Sequence, residues 1–430
     1  VRVTTHTRLL NVDHVDFSHK VSPEEVLQQI QEIVAEQEKI FTQTYEEIVE
    51  KLAEENIFII REDQLNEQQA GFVTNYFHNE VRTLLFPIML DNLDDPTSLE
   101  DKSIYLAVHL QSTTEPDREE FSIVKVPSPP LSRFLILPEE DGKIYIMLLE
   151  DVIRHGLPYV FSLFGYDKYD AYTIKITRDA ELDIDNDVQK SFLEILSESV
   201  KQREWGTPVR FVFDRSIPGH FLRKLRVKVY IWHADWERGG YHNFKDFMGF
   251  PKVGHSGLVY PASPPLQHKD IRPYQSIFEV IRSRDIMLHY PYQSFHYIVD
   301  LLREASIDPN VRSIKMTFYR AASNSNAMNA LMNEARNGKS VTVFLELQAR
   351  FDEKANIFWA EKLQNTGVKI LPTIPGMKVH SKLILIRRKE NMKNVFYANI
   401  STGNFNESTA KVYADGSLLP ASKDVATQIS

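Results

Sequence analysis

Val26, Ile30, Ile33, Ile40, Ile48 and Leu52 recur near a helical period with charged residues between them, and predict one long helix ending near Glu54. Ser22-Pro23-Glu24-Glu25 marks its start. Ser22 can cap the first turn, Pro23 suits the first helical position, and Glu25 completes a capping box. A single apolar stripe on so charged a helix predicts an arm of a helical hairpin or bundle, with its partner before Val1. From about 56 to 260 the pattern shortens to alternating runs at 104–110, 121–126, 134–137, 144–149, 172–176 and 226–231. These predict strands, interrupted by helical stretches such as 187–202, and an α+β fold. Pro261, Pro264 and Pro265 predict a linker.

Beyond the linker the alternation is cleaner. Strands are expected at 313–318, 341–347, 368–371, 383–386 and 395–400, and helices at 327–337 and 355–365, closed by Gly338 and Gly367. The order βαβαβ with appended strands implies an α/β fold: a mainly parallel sheet with helices over its faces. Ligands of such sheets sit beyond the carboxyl ends of the strands. Arg320 follows the first of these strands and Arg350 the second, so both are expected on that edge. The charged run Arg387-Arg388-Lys389-Glu390-Asn391 reads as a solvated hairpin turn.

Composition narrows the chemistry. The chain has 430 residues, 43% hydrophobic and 25% charged, which is ordinary for a globular protein of several domains. It has no cysteine, so disulfides, cysteine-based zinc or iron–sulfur sites and a thiol nucleophile are excluded. No apolar run approaches the roughly 20 residues that span a bilayer, and no signal segment opens the chain. The expectation is a cytoplasmic protein without a transmembrane segment, with peripheral attachment to a membrane left open. The chain starts at Val1 without an initiator methionine and stops within an apolar-polar pattern, which predicts a fragment of a longer protein. The net charge of −9 is a sum of unlike parts. Residues 261–430 hold 22 Lys and Arg against 15 Asp and Glu, while 1–260 hold 28 against 44. A basic back on an acidic front points to phosphate-rich ligands at the back.

The back also holds a distinctive histidine. Thirteen of the fourteen histidines are read as surface or satisfied core residues. His380 lies in Pro375-Gly376-Met377-Lys378-Val379-His380-Ser381-Lys382-Leu383, a turn running into a strand. Strand alternation would put Lys378, His380 and Lys382 on one face, a nucleophilic nitrogen between two cations able to receive phosphoryl charge. Some twenty residues on, Ser401-Thr402-Gly403-Asn404-Phe405-Asn406 offers close backbone approach at Gly403 and donors from Asn404 and Asn406.

The pattern H-x-K…G-x-x-N resembles one half of a phospholipase-D-type active site, in which two histidines act in turn on phosphorus and on the leaving-group proton. No other histidine here has a lysine two residues on. Longer blocks carry a closer resemblance. Ile286-Met287-Leu288-His289-Tyr290-Pro291-Tyr292-Gln293-Ser294-Phe295, Thr317-Phe318-Tyr319-Arg320, Glu346-Leu347-Gln348-Ala349-Arg350-Phe351-Asp352-Glu353, the His380 block and Thr402-Gly403-Asn404-Phe405-Asn406 resemble, in order, signature blocks of the ATP-dependent polyphosphate kinases. The head-like stretch 172–183 and the helical front extend the resemblance over essentially the whole chain.

The resemblance implies the end of an N-terminal helical domain at 1–55, an α+β head domain used in dimerisation at 56–260, and a truncated first phospholipase-D-like α/β catalytic domain at 261–430. It implies reversible transfer of the γ-phosphate of ATP to inorganic polyphosphate through a phosphohistidine at His380, with Lys382 receiving charge and Tyr413 contacting ATP. ATP, ADP and polyphosphate are the implied partners, with no nucleic acid required, Mg²⁺ as cofactor and a homodimer or higher homo-oligomer as the assembly. The family attributes a magnesium site to the arginines matching Arg320 and Arg350. A guanidinium is a cation and cannot ligate magnesium, so both are read as forks on phosphate oxygens that also hold the metal. The family's ATP-contacting asparagine would lie before Val1 and its second catalytic histidine after Ser430, so the fragment alone is expected to be inactive or nearly so. The competing readings are a phosphodiesterase of the phospholipase D type and a non-catalytic polyphosphate-binding or dimerising module.

Overall fold

The computed structural model describes residues 22–94, 99–115, 118–178, 208–229, 235–238, 240–261, 263–322, 324–346, 353–372 and 380–428. They fall into two compact units that part between Tyr260 and Pro261. The helical stretch expected at 187–202 lies outside the described residues.

The first unit opens with α1 (Pro23–Glu54), and its capping box forms as the sequence predicts. The Ser22 hydroxyl accepts from the Glu25 N–H at 3.2 Å, and the Ser22 N–H donates to the Glu25 carboxylate at 3.1 Å. Aromatic residues beside the apolar stripe pack within the unit. Phe41 sits edge-on to Phe244 at 4.8 Å, and Tyr45 meets Phe244 and Phe247 at 4.9 and 5.9 Å. Ile33, Ile40 and Ile48 stay exposed.

The chain continues through β1 (Ile57–Ile60), α2 (Glu67–Tyr76), β2 (Ile88–Met89), β3 (Ile104–Gln111), β4 (Glu119–Lys125), β5 (Phe134–Ile136), β6 (Ile144–Leu148), α3 (Leu149–Phe161), β7 (Lys168–Arg178), β8 (Pro208–Asp214), α4 (Gly219–Val229) and β9 (Asp235–Arg238). They build a three-stranded sheet, β1-β6-β5, and a six-stranded sheet, β2-β4-β3-β7-β8-β9. Strand β3 is buried on both faces. Leu106, Val108 and Leu110 join a core with Phe77 and Val152, while Tyr105 and Ala107 join another with Phe221 and Leu225.

One expected strand is a helix. The alternation at 226–231 would put Val227 and Val229 on one face, but Val229 is buried and Val227 is exposed. Residues 226–229 fold as the last turn of α4, where Phe221, Leu225 and Val229 form a buried stripe at intervals of four, and 230–231 lie outside the described residues. The apolar residues one turn upstream decide the period, and a short alternating window hid them.

The second unit carries α5 (Ile277–Ser283), β10 (Ile286–Tyr290), α6 (His296–Ile307), β11 (Val311–Phe318), α7 (Asn326–Arg336), β12 (Ser340–Leu345), α8 (Glu353–Gln364), β13 (Lys369–Pro372), β14 (Lys382–Glu390), β15 (Lys393–Ser401), β16 (Asp415–Leu419) and α9 (Lys423–Gln428). Its seven strands lie in the order β10-β16-β15-β14-β11-β12-β13. The β11–β12–β13 half is parallel and the β11–β14–β15–β16–β10 half antiparallel. The expected βαβαβ run is present, but the sheet is not mainly parallel as expected, because the appended strands make four of its six pairings antiparallel. Gly338 and Gly367 close α7 and α8 at φ of 76° and 85°. A large core from Ile271 to Leu419 fills the space between sheet and helices, with Leu302, Leu331, Trp359, Ile314, Val343 and Ile384 deep inside, and a small one joins Leu385, Ala398 and Ala426.

The charged run at 387–391 is not a loop. β14 continues to Glu390, and the turn to β15 is Asn391-Met392, both at positive φ, as a two-residue hairpin of type I′ requires. Arg388 is held in the strand by Asp308 at 2.6 Å and Glu390 at 2.7 Å, so its charge is neutralised locally.

Candidate active site

Strand directions place the site. β11, β12, β13, β15 and β10 all end at one edge of the seven-stranded sheet, where β14 and β16, running the other way, begin. The residues after β11, around 380, after β15 and before β16 therefore share this edge. That gathers Arg320, His380, Lys382, Asn404, Asn406 and Tyr413. Arg350, Lys378 and most of the turn leading to His380 lie outside the described residues.

His380 is exposed and comes just before β14, so the expected strand face does not extend to it. Two bonds hold its backbone. Thr317 on β11 donates its hydroxyl to the Ser381 carbonyl at 2.7 Å and accepts from the Leu383 N–H at 2.9 Å. Lys382 is buried, and its Nζ donates to the His380 carbonyl at 2.6 Å. Lys382 thus grips the backbone of the histidine, where alternation had placed the two side chains side by side. Burial pushes the Lys382 ammonium below the usual lysine range, and the charge of Asp415 opposes that shift.

Tyr319 joins the cations to the ring. Its aromatic ring meets His380 edge to face at 4.9 Å, and Lys382 Nζ and the Arg320 guanidinium lie 5.5 and 5.7 Å from its centroid. The segment carrying Tyr319 and Arg320 is clamped by α8. The Asn356 amide donates to the carbonyls of Tyr319 at 3.0 Å and Glu346 at 2.8 Å, and its oxygen accepts from the Ala321 N–H at 3.3 Å. Trp359 donates its indole N–H to the Ala322 carbonyl at 2.9 Å. Asn356 is fully buried in a helix, and it satisfies carbonyls that the end of the strand would otherwise strand.

The turn after β15 is shaped by Asp415. Thr402 donates to its carboxylate at 2.8 Å and accepts from the Gly416 N–H at 3.0 Å. A Cβ on Gly403 would lie 2.4 Å from an Asp415 oxygen, so glycine is required by close approach to this carboxylate. Asn406 is buried, and its oxygen accepts from the N–H groups of Ser408 and Thr409 at 2.9 and 3.2 Å. That oxygen shapes the turn, a role the reading of Asn406 as a phosphate donor did not anticipate. Asn404 Oδ1 is buried without a hydrogen-bond partner. Tyr413 is exposed on the loop into β16.

Sequence reasoning missed Tyr319 as the common neighbour, Thr317, Asn356, Trp359 and Glu407. The Glu407 carboxylate accepts from the Asn326 and Ala327 N–H groups at 2.6 and 3.2 Å, tying the 402–409 turn to the start of α7. A polar residue inside the apolar run Ala355-Asn356-Ile357-Phe358-Trp359 was the one available signal for Asn356.

Magnesium does not fit this edge as a ligand of the protein. Arg320 is a cation without a lone pair to give. Among the described residues, the one group of three His, Asp or Glu side chains close enough to hold an ion is in the first unit. What the edge does offer is an exposed imidazole beside an aromatic ring and two cationic side chains.

The fold is that of a multidomain protein of mixed helix and sheet, with an exposed histidine and two cationic side chains around one aromatic ring at a sheet edge. Two family models match the chain: the polyphosphate kinase middle domain over residues 68–250 and the polyphosphate kinase C-terminal domain 1 over residues 276–430. The chain belongs to the polyphosphate kinase family. A polyphosphate kinase of Vibrio vulnificus strain YJ016 is 44% identical over 395 residues, which are 90% of this chain and 56% of the relative. That of Escherichia coli K12 is 40% identical over 412 residues, 94% of this chain and 59% of the relative. The crystal structure of polyphosphate kinase from Porphyromonas gingivalis superposes with a TM-score of 0.76 at 31% identity, covering 100% of this chain and 61% of that one. The chain thus spans somewhat over half the length of these relatives. No helix among the described residues is long and apolar enough to cross a membrane.

Proposed function

We propose that the protein to which this chain belongs transfers the γ-phosphoryl group of ATP to His380 and from there to the end of an inorganic polyphosphate chain, reversibly. A ring nitrogen of His380 attacks the γ-phosphorus, the bond to the bridging oxygen breaks, and ADP leaves. A terminal phosphate oxygen of the polymer then attacks the same phosphorus, and the P–N bond breaks. The observation that carries this reading is the exposed His380 ring set against Tyr319, with Lys382 and Arg320 on the same aromatic ring. Phosphoryl transfer is catalysed mainly by positioning and by charge placed around the equatorial oxygens. Arg320, and Arg350 from the next strand's end, supply that charge, and Lys382 adds to it while fixing the His380 backbone. Tyr413 contacts the nucleotide, and Asn404 and Asn406 line the phosphate side of the turn. Magnesium arrives with the phosphates of ATP and is held through them.

By the same resemblance, 1–55 closes an N-terminal domain, 56–260 is a head domain through which the protein forms a homodimer or higher homo-oligomer, and 261–430 is a phospholipase-D-like catalytic domain. The second catalytic histidine comes from the part of the relatives that this chain does not span. The protein is cytoplasmic, with peripheral membrane attachment as an option of its assembly.

The test is ATP-dependent formation of a long phosphate polymer by the full-length protein. The expected result is synthesis by the native enzyme and none by His380→Ala. Hydrolysis of a phosphodiester without any polymer would overturn the proposal.

A further inference from the structure

In the first unit, three side chains from three elements converge at a place that the proposed reaction does not use. His109 on β3, Glu119 on β4 and His220 at the start of α4 each bring a ligand atom within 4.8 Å of the other two. The ladder explains the first pair. His109 stands opposite Phe121 and Glu119 opposite Gln111, so His109 and Glu119 are diagonal neighbours on one face, 2.8 Å apart between Nε2 and Oε2. Packing sets the third. The His109 side chain is only 5% exposed and stacks on Phe121 at 4.7 Å and 12°. Phe121 in turn packs on Phe221 at 4.4 Å, which fixes the first turn of α4, and the His220 ring meets His109 edge-on at 5.6 Å.

We propose that His109, Glu119 and His220 form a zinc site that clamps α4 to the β3–β4 ladder. Two imidazoles and one carboxylate are ligand types that zinc takes, and three protein ligands leave one position for water. Ligand atoms about 2.0–2.1 Å from a tetrahedral ion stand roughly 3.4 Å from one another. Side chains already within 4.8 Å reach that by rotation of Glu119 and His220, both at the surface. The hydrogen bond accounts for the His109–Glu119 pair and the packing of Phe221 brings His220 to them, so that all three ligand types meet in one place. Lys224 lies over the Phe121 ring at 4.6 Å and is drawn to Asp91 at 3.1 Å. Magnesium prefers oxygen ligands and is not expected to compete.

The test uses the untagged full-length protein stripped of metal, titrated with zinc chloride against a chromophoric chelator. The expected result is a tight equivalent of zinc per chain that raises the melting temperature, while magnesium chloride does neither. His220→Ala and Glu119→Ala, changes at exposed positions that leave the core intact, should each weaken this zinc binding by more than about tenfold. Cobalt should give the visible bands of a tetrahedral site in the native protein and lose them in both variants. His109→Ala should do the same where it folds. Zinc affinity and cobalt spectrum unchanged in both surface variants, or no equivalent bound by the native protein, would overturn the proposal.

Discussion

Buried charges are handled differently in the first unit and at the carboxyl edge of the second. In the first, buried charges are closed on one another. Arg133 bonds Glu150 at 2.5 Å and Asp246 at 3.2 Å, Arg154 bonds Asp151, and Tyr241 donates to the same aspartate at 2.6 Å. Arg133, Glu150 and Asp151 are all buried, and the network ties β5 and α3 to the 241–246 segment. At the carboxyl edge of the second unit, buried Lys382 hydrogen-bonds a carbonyl and faces an aromatic ring. A carboxylate pair satisfies a charge and removes it from use. A carbonyl and a ring hold a cation in place and leave its charge for an incoming anion, which is what a phosphoryl-transfer site needs.

The largest expected effect breaks the first arrangement. Arg133→Ala leaves Glu150 buried without its partner, and should cost about 3–5 kcal/mol of stability, read by urea denaturation of the full-length protein. Per folded molecule, labelling of His380 by ATP should be unchanged. A loss of labelling in the folded fraction would show that the network serves the site after all.

Next come two changes that disturb the second arrangement without touching a charge. Asn356→Ala frees the segment carrying Tyr319 and Arg320 and should slow labelling by about a hundredfold, with a stability loss of about 1–3 kcal/mol. Gly403→Ala forces the Asp415 carboxylate aside and should also slow labelling, by about tenfold or more, as a displacement of the turn by a fraction of an ångström implies. Single-turnover measurements at saturating ATP check both. Labelling at the native rate in Asn356→Ala would mean that the α8 clamp is not what positions the arginine.

The smallest effect is a shift with pH. Burial lowers the Lys382 pKa in the folded protein, so as pH rises the folded state sheds this proton before the unfolded chain does. Between the lowered value and the ordinary lysine range, Lys382 therefore makes stability rise with pH, while its charge for phosphate is lost. Binding of a polyphosphate chain to the full-length protein should weaken below the ordinary lysine range, near 10.4, and Lys382→Arg should move the decline upward. Isothermal titration at a series of pH values reads this.

How much of this was legible in the sequence depends on the range of the interactions. The strands and helices of the second unit follow from local periods, but the convergence of Arg320 and His380 requires β14 to run antiparallel to β11, which those periods do not give. At 226–231 a local alternation misled, because the buried stripe Phe221-Leu225-Val229 needs a window of nine residues to be seen. Asn356 and Glu407 were invisible for another reason. Each satisfies backbone groups more than thirty positions away, and no local pattern records such a partner. Lys382 was noticed for the right charge and the wrong geometry, because the strand begins at Lys382 and alternation does not reach back to His380. His109 and His220 read as ordinary histidines until the β3–β4 register and α4 brought them together.

The central claim is that His380 carries the phosphoryl group. Incubating the full-length protein with γ-labelled ATP and mapping the label by peptide mass analysis at neutral and acid pH tests it most directly. Acid-labile label on the peptide containing His380, absent from His380→Ala, is the predicted result. Equal acid-labile label in His380→Ala, or label confined to another residue, would contradict it.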